Sequence, residues 1–531
     1  MHRMKSTAVF YLSLACFTLG TVALSPFAQA ACVAANTCFG LNALQAVTTG
    51  DSNSAFGYEA LFRNTEGEEN SAFGRNALHE NISGERNIAI GFNALYQNTT
   101  GRQNTAVGAN SLSNNQRGIS NTAIGFNAFV GIFSTSSTSS RNTAVGTKAM
   151  ENFSGGDNTA TGMNALRGLP QHGRHRGSRN TANGAHAMRG ARGGDSNTGI
   201  GALALAGIFG TGEYSYNTAV GDTALMSVNT GLYNTAIGYQ AMNGGGVQPG
   251  ITGNNNTANG ARSLLSNLAG EGNTASGFDS LRSNTNGNRN TANGLDALRS
   301  NTSGNRNTAV GVGALSATTT GIRNVALGAG AGRNVVNGSD NIFIGANNFG
   351  FAAENGVIRI GKSAHQTKTF VAGIAGVRTG LSMASAVVID ANGQLGTINS
   401  SRAFKDDIQP MGRVSDRLYN LRPVTFRYKD AYDDGSQPIE FGLIAEEVAE
   451  VFPELVVYNT EGKPQTVRYD LIATLLLNEF QQAHNVIEAQ ASRIEALETQ
   501  ALELAELRKD MAQLAGRLAA IDKTIMVATA E

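Results

Sequence analysis

The sequence predicts a mainly β chain: a parallel β-solenoid fibre of about eighteen coils, then a smaller α+β domain that ends in a trimeric coiled coil. Three observations carry that expectation. A short motif, Asn-Thr-Ala-x-Gly in its commonest form, opens eighteen copies between Asn36 and Asn341, most often 17 residues apart. After Gln394 the Gly- and Asn-rich repeat gives way abruptly to charged and long apolar residues. Beyond Glu479, apolar residues step by three and four, the spacing of a helix that pairs along one seam.

A typical unit reads Asn87-Ile-Ala-Ile-Gly-Phe-Asn-Ala-Leu-Tyr-Gln-Asn-Thr-Thr-Gly101. It is too short and too rich in Gly to close a core of its own, but stacked copies pair each strand with its counterpart one coil on. Ala, Val, Ile and Phe are expected to point inward at fixed positions. Gly supplies backbone conformations that other residues resist, and the Asn column is expected to form a hydrogen-bonded ladder at a corner. At about 4.8 Å per coil the rod would be on the order of 80–90 Å long. Ala and Gly flank the Thr column throughout, so no paired Thr-x-Thr rows arise and both the Asn and the Thr columns read as structural.

From Asn121 the spacing runs 21, 16, 22, 17, 20, 17, 22 and 17, so every second coil carries extra residues at one phase. The insertions are Val130–Arg141, Gly168–Arg179, Ala206–Tyr216 and Asn243–Asn255. Extra residues at one phase should leave from one face, a common place for binding loops. The second insertion holds His172, Arg174, His175, Arg176 and Arg179. Two histidines without further ligands make a poor metal site, so a solvated basic loop, suited to an acidic glycan, is the reading.

With 40 basic and 40 acidic residues in 531, no field favours nucleic acid. The acidic residues are scattered, which leaves neither a repeated calcium loop nor a pair of glycosidase carboxylates, and no cofactor or metal is expected. Residues 1–30 read as an export signal. His2, Arg3 and Lys5 precede an apolar run, and Ala28-Gln29-Ala30 offers small residues for cleavage. A membrane anchor fits less well because Ser, Thr and Gly dilute the run, and a lipoprotein signal would want Leu where Gln29 stands. No later segment spans a bilayer as a helix. Cys32 and Cys38 then enter an oxidising compartment as a candidate disulfide, within one chain or between chains.

The repeat from Asn36 to Gly345 resembles those in the heads of trimeric autotransporter adhesins. Further on stand Asn399-Ser-Ser-Arg-Ala-Phe-Lys405, Leu421-Arg-Pro-Val-Thr-Phe-Arg-Tyr-Lys429, Phe441-Gly-Leu-Ile-Ala-Glu-Glu-Val-Ala-Glu-Val-Phe-Pro-Glu-Leu455 and Val467-Arg-Tyr-Asp-Leu-Ile-Ala-Thr-Leu-Leu-Leu477. In that order they are similar to the intramolecular chaperone of phage tail spikes and fibres, typified by endosialidases. The resemblance implies a trimeric domain that helps the fibre fold and then cuts itself off. Its nucleophile would be Ser400 and its general base Lys405, with scission between Asn399 and Ser400. Arg402 is expected to pair with Asp406 or Asp407 rather than to tune the lysine.

The expected organisation is a signal at 1–30, the solenoid at 31–350, a β-rich neck at 351–396, the chaperone and autoprotease domain at 397–480 and the coiled coil at 481–524. The expected function is that of an exported homotrimeric fibre, an adhesin at the cell surface or outside the cell, which binds a surface glycan or host receptor. Two other readings are a fibre that degrades polysaccharide and the same fibre with an uncleaved C-terminal cap.

Overall fold

In a computed structural model the chain is described over residue 32 and residues 35–131, 138–169, 175–207, 214–246, 250–362, 365–375, 377–380, 384–390, 393–459 and 461–528. It divides into two compact units, Met1–Phe370 and Val371–Glu531.

Nineteen three-residue strands of the first unit build one parallel sheet, a β-solenoid of about eighteen turns. Register is fixed from coil to coil: Ala55 faces Ala72, Ala106 faces Ala123 and Ala292 faces Ala309. Side chains alternate across a strand, so the middle Ala points inward and is fully buried, as at Ala89, Ala160 and Ala236. The flanking residues point out. This corrects one expectation, because the Val, Ile and Phe at the third strand position lie on the surface: Phe39 is 56% exposed, Ile90 42% and Leu327 49%. The Asn that opens each unit already turns inward, so period-two alternation puts residues two and four of the unit outside. Most coils keep room only for a methyl group at the strand, while Phe343 fills that position in the last repeat.

The opposite wall of the core is the Ala-Leu pair, with Ala60, Leu61, Ala224 and Leu225 all at 0% exposure. Its Leu adopts a left-handed backbone, φ 52° at Leu61 and 50° at Leu225, a conformation costing about 1–2 kcal/mol in an L-residue. Hydrogen bonds between coils hold it there, as from the Leu61 amide to the Ala77 carbonyl at 2.9 Å. At the end of each strand only Gly fits. Gly57 has φ +139°, and a Cβ there would stand 2.5 Å from the carbonyl oxygen of Gly74.

The Asn column runs as a ladder through the rod. Asn104 Oδ1 accepts from both the backbone N–H and the side-chain amide of Asn121 at 3.0 Å, and Asn104 Nδ2 donates to the Gly118 carbonyl at 2.8 Å. The ladder crosses the longer coils unbroken: Asn142, Asn180 and Asn256 donate their backbone N–H to Asn121, Asn158 and Asn234 at 3.0–3.1 Å. A second ladder, Asn64 to Asn115 and again Asn267 to Asn301, lapses between them. There Phe153, Tyr214, Val228 and Ile251 fill the interior instead.

The insertion residues 132–137, 170–174, 208–213 and 247–249 lie outside the described residues, and with them the expected loops, His172 and Arg174 included. His175 is not part of a solvated loop. It pairs in parallel with Phe153, is fully buried, and holds the backbone of Leu169 (2.9–3.0 Å) and the carbonyl of Ala191 through its two ring nitrogens. Cys32 and Cys38 are joined as a disulfide at a Cα–Cα distance of 5.9 Å, within one chain. At the other end, Ile358–Ile360 adds a nineteenth strand beyond the last recognisable repeat, parallel to Ile342–Ile344.

The second unit is a small α+β body. Val388–Ile389 pairs with Leu395–Gly396, Val424–Phe426 with Glu440–Gly442 and Val456–Tyr458 with Pro464–Val467, all antiparallel. Helix α1 (Ala445–Val451) and the 60-residue helix α2 (Tyr469–Ala528) complete it. Among its described residues the buried core is Val448, Phe452, Leu455, Val456, Val467 and Leu475.

Candidate functional site

Ser400 lies in an extended stretch four residues after the Leu395–Gly396 strand. Next to it, Ser401 caps a single 3-10 turn, Arg402–Phe404, accepting from the Ala403 amide at 3.3 Å. Such a cap is the usual work of Ser ahead of a helical turn. The turn reverses the chain so that Lys405, extended at φ −132° and ψ 129°, comes back to the start of the segment. Lys405 Nζ donates to Ser400 Oγ at 3.0 Å. The two side chains named from the sequence are therefore in direct contact, beside the Asn399–Ser400 peptide bond.

Asn399, Ser400 and Lys405 are all exposed in the single chain. Arg402 makes no ion pair with Asp406 or Asp407 among the described residues, contrary to the expectation, so its charge stays in solvent near the lysine. No cluster of three or more His, Cys, Asp or Glu able to hold a metal exists among the described residues.

Downstream, polar contacts the sequence reading missed fix the scaffold. Tyr469 Oη accepts from the Leu443 amide at 2.9 Å, tying the start of α2 to the strand before α1. Asn478 donates to the Gly412 carbonyl at 2.8 Å and to Ser415 Oγ, and Gln482 reaches the same carbonyl at 3.0 Å. Their i, i+4 spacing on a helix is the signal that could have revealed them. Arg422 grips Glu447 through two bonds and holds that carboxyl below the ordinary glutamate range. Arg417 lies over the Phe452 ring, 3.8 Å from its centre, and reaches Glu454.

Residues 400–457 match the model of a peptidase family described as chaperone of endosialidase. No curated protein and no solved structure matches the chain. The family is that of an autoproteolytic chaperone domain, and the matched stretch begins at Ser400 and ends within the strand after α1. With a β-solenoid of about eighteen turns ahead of it, the matched stretch fits a tail-fibre-like protein of the endosialidase type with a C-terminal chaperone.

Proposed function

We propose that the chain is an exported homotrimeric fibre, adhesive at its rod, which its C-terminal domain assembles and then releases by one cleavage between Asn399 and Ser400. The observation that carries this reading is the 3.0 Å contact of Lys405 Nζ with Ser400 Oγ at the first residue of the chaperone match. Neutral Lys405 takes the Ser400 proton as Oγ attacks the Asn399 carbonyl carbon. The peptide C–N bond then breaks, its nitrogen leaving as the protonated amine of Ser400, and an ester joins Asn399 to Oγ. Water hydrolyses the ester, leaving a carboxylate on Asn399 and a free Ser400 side chain.

A lysine serves as base only when neutral, which burial or a nearby positive charge favours, and Lys405 is exposed in the single chain. Burial by neighbouring copies would supply the desolvation, which makes cleavage a report on assembly. Two surfaces support three chains. The apolar seam of α2 is bare, with Leu497, Leu504, Leu514 and Leu518 each more than half exposed. In a chain whose residues are 15% charged, none of the outward side chains of the nineteen strands is charged. That face, about 85 Å by 10 Å, offers on the order of 800 Å² per chain, the size of a standard interface. Among the described residues no helix is long and apolar enough to cross a membrane. Export rests on residues 1–30, which lie outside the described ones.

The test is intact mass of the protein expressed without residues 1–30, beside Ser400→Ala and Lys405→Met. The wild type should separate into two pieces at Asn399 while both variants stay whole. Full-length wild type, or cleavage persisting in Ser400→Ala, would sink the assignment.

A further inference from the structure

The residue just before each repeat Asn forms a column along one corner of the rod, one side chain per coil. Six of its members are arginines: Arg86, Arg141, Arg179, Arg289, Arg306 and Arg323. Four face a carboxylate one coil away: Arg86 with Glu69, Arg141 with Asp157, Arg179 with Asp195 and Arg323 with Asp340. Arg289 and Arg306 break that pattern. They stand in consecutive coils, next to Arg323, exposed, and neither makes an ion pair among the described residues. Like charges directly opposite one another across a strand spacing are destabilising, so this run is kept against a local cost.

The same stretch is concave. At Gly272 the column has no side chain, and a groove of about 690 Å³ opens there, lined by Asn255, Glu271, Asn288, Asn305 and the three arginines. Its floor is already ordered: Asn288 Oδ1 accepts from the Glu271 amide at 2.7 Å, and Asn305 Oδ1 from the Asn288 amide at 2.8 Å. Two coils before Gly272 the column carries Tyr233, 55% exposed and stacked on Tyr216 at 4.9 Å, a flat apolar face of the kind that sugar rings lie against.

We propose that this corner, from Tyr216 to Arg323, is the binding site for an anionic polysaccharide laid along the rod axis. The coil repeat of about 4.8 Å matches the length of one pyranose unit, so acid groups on successive sugars meet successive guanidinium forks. Arg289 and Arg306 supply planar bidentate donors for carboxylate or sulfate, Asn288 and Asn305 border the hydroxyls, and Tyr233 packs the last ring. Glu271, which accepts from Asn254 at 3.1 Å, stands between Arg289 and Tyr233 and turns the acid group of the sugar over its coil away from the rod. The proposal rests on the adhesive-fibre reading and adds where it binds and what.

The experiment uses the full-length protein and three tetrasaccharides: oligogalacturonate, a heparin fragment and neutral maltotetraose. Both anionic probes should bind, with affinity falling steeply as salt rises, and maltotetraose should not. In R289A/R306A the affinity should drop at least tenfold. R306D, which restores the carboxylate pairing seen elsewhere in the column, should also abolish binding while raising the thermal midpoint by a degree or more. Absence of binding by either anionic probe, unchanged affinity in R289A/R306A, or binding retained in R306D overturns the site. Cleavage at Asn399 is read separately by mass, so failure here is distinct from failure of the fibre assignment.

Discussion

The rod and the C-terminal unit satisfy their buried groups by different means. Each coil of the rod completes its core within one chain: Ala and Leu reach 0% exposure, and the Asn amides find partners one coil on. Among the described residues the C-terminal unit encloses six buried apolar side chains and leaves the Leu and Ile positions of α2 beyond Leu475 bare. A rod made this way adds stability coil by coil. In the proposed trimer, a domain made the other way would be finished by further copies. The proposed pair, Ser400 and Lys405, belongs to the second kind and is exposed in the single chain.

The largest effect should come from breaking the unfinished side. Leu497→Asp with Leu504→Asp puts charge on the seam of α2, and light scattering should find the trimer replaced by monomer and aggregate. A trimer that persists would mean α2 does not register the chains. Next is the rod's own bonding. Asn197→Ala strips the Asn217 amide of its 3.0 Å acceptor and the Tyr214 carbonyl of its donor. Buried groups left unpaired cost about 2–4 kcal/mol together, read by denaturant unfolding, and hydrogen exchange should quicken in the two adjoining coils. Ala219→Val adds two methyl groups at a fully buried strand position and should cost about 1–3 kcal/mol by overpacking.

The smallest effect lies on the surface of the C-terminal unit. Arg422→Ala removes the partner that holds Glu447 below its ordinary pKa. Since the folded value is depressed, the pairing stabilises above the unfolded glutamate value, about 4.3, and is lost as pH falls through the folded value. The variant should therefore melt slightly lower than wild type at neutral pH, with the gap closing in acid below the glutamate range. A gap that stays constant into acid would assign the effect to packing.

The solenoid was legible because its signal is redundant: eighteen copies place Asn and Gly at one phase, fifteen of them with Ala between, and each type has one physical use there. The direction of Phe39 or Ile90 was not, since hydrophobicity argues for burial and only the alternation set by the inward Asn sends them out. His175 misled for a related reason, because a histidine among arginines reads as surface until Phe153 and Ala191 are seen to enclose it. At the site, Ser400 and Lys405 drew meaning from the segments behind them. Their 3.0 Å contact depends on the turn capped by Ser401, a local device that five-residue spacing does not reveal. Asn478 and Gln482 passed unread within a helix full of polar residues.

The unbroken asparagine line has a bearing on how such a molecule changes over generations. In the 17-residue coils each unit recognises only its two neighbours, so excision of residues 70–86 would bring Asn53 against Asn87 with the same chemistry as before. Duplication or loss of a single stretch of coding sequence there thus changes the length of the rod in steps of about 4.8 Å. Rod length becomes a heritable dial, turned by recombination between near-identical copies.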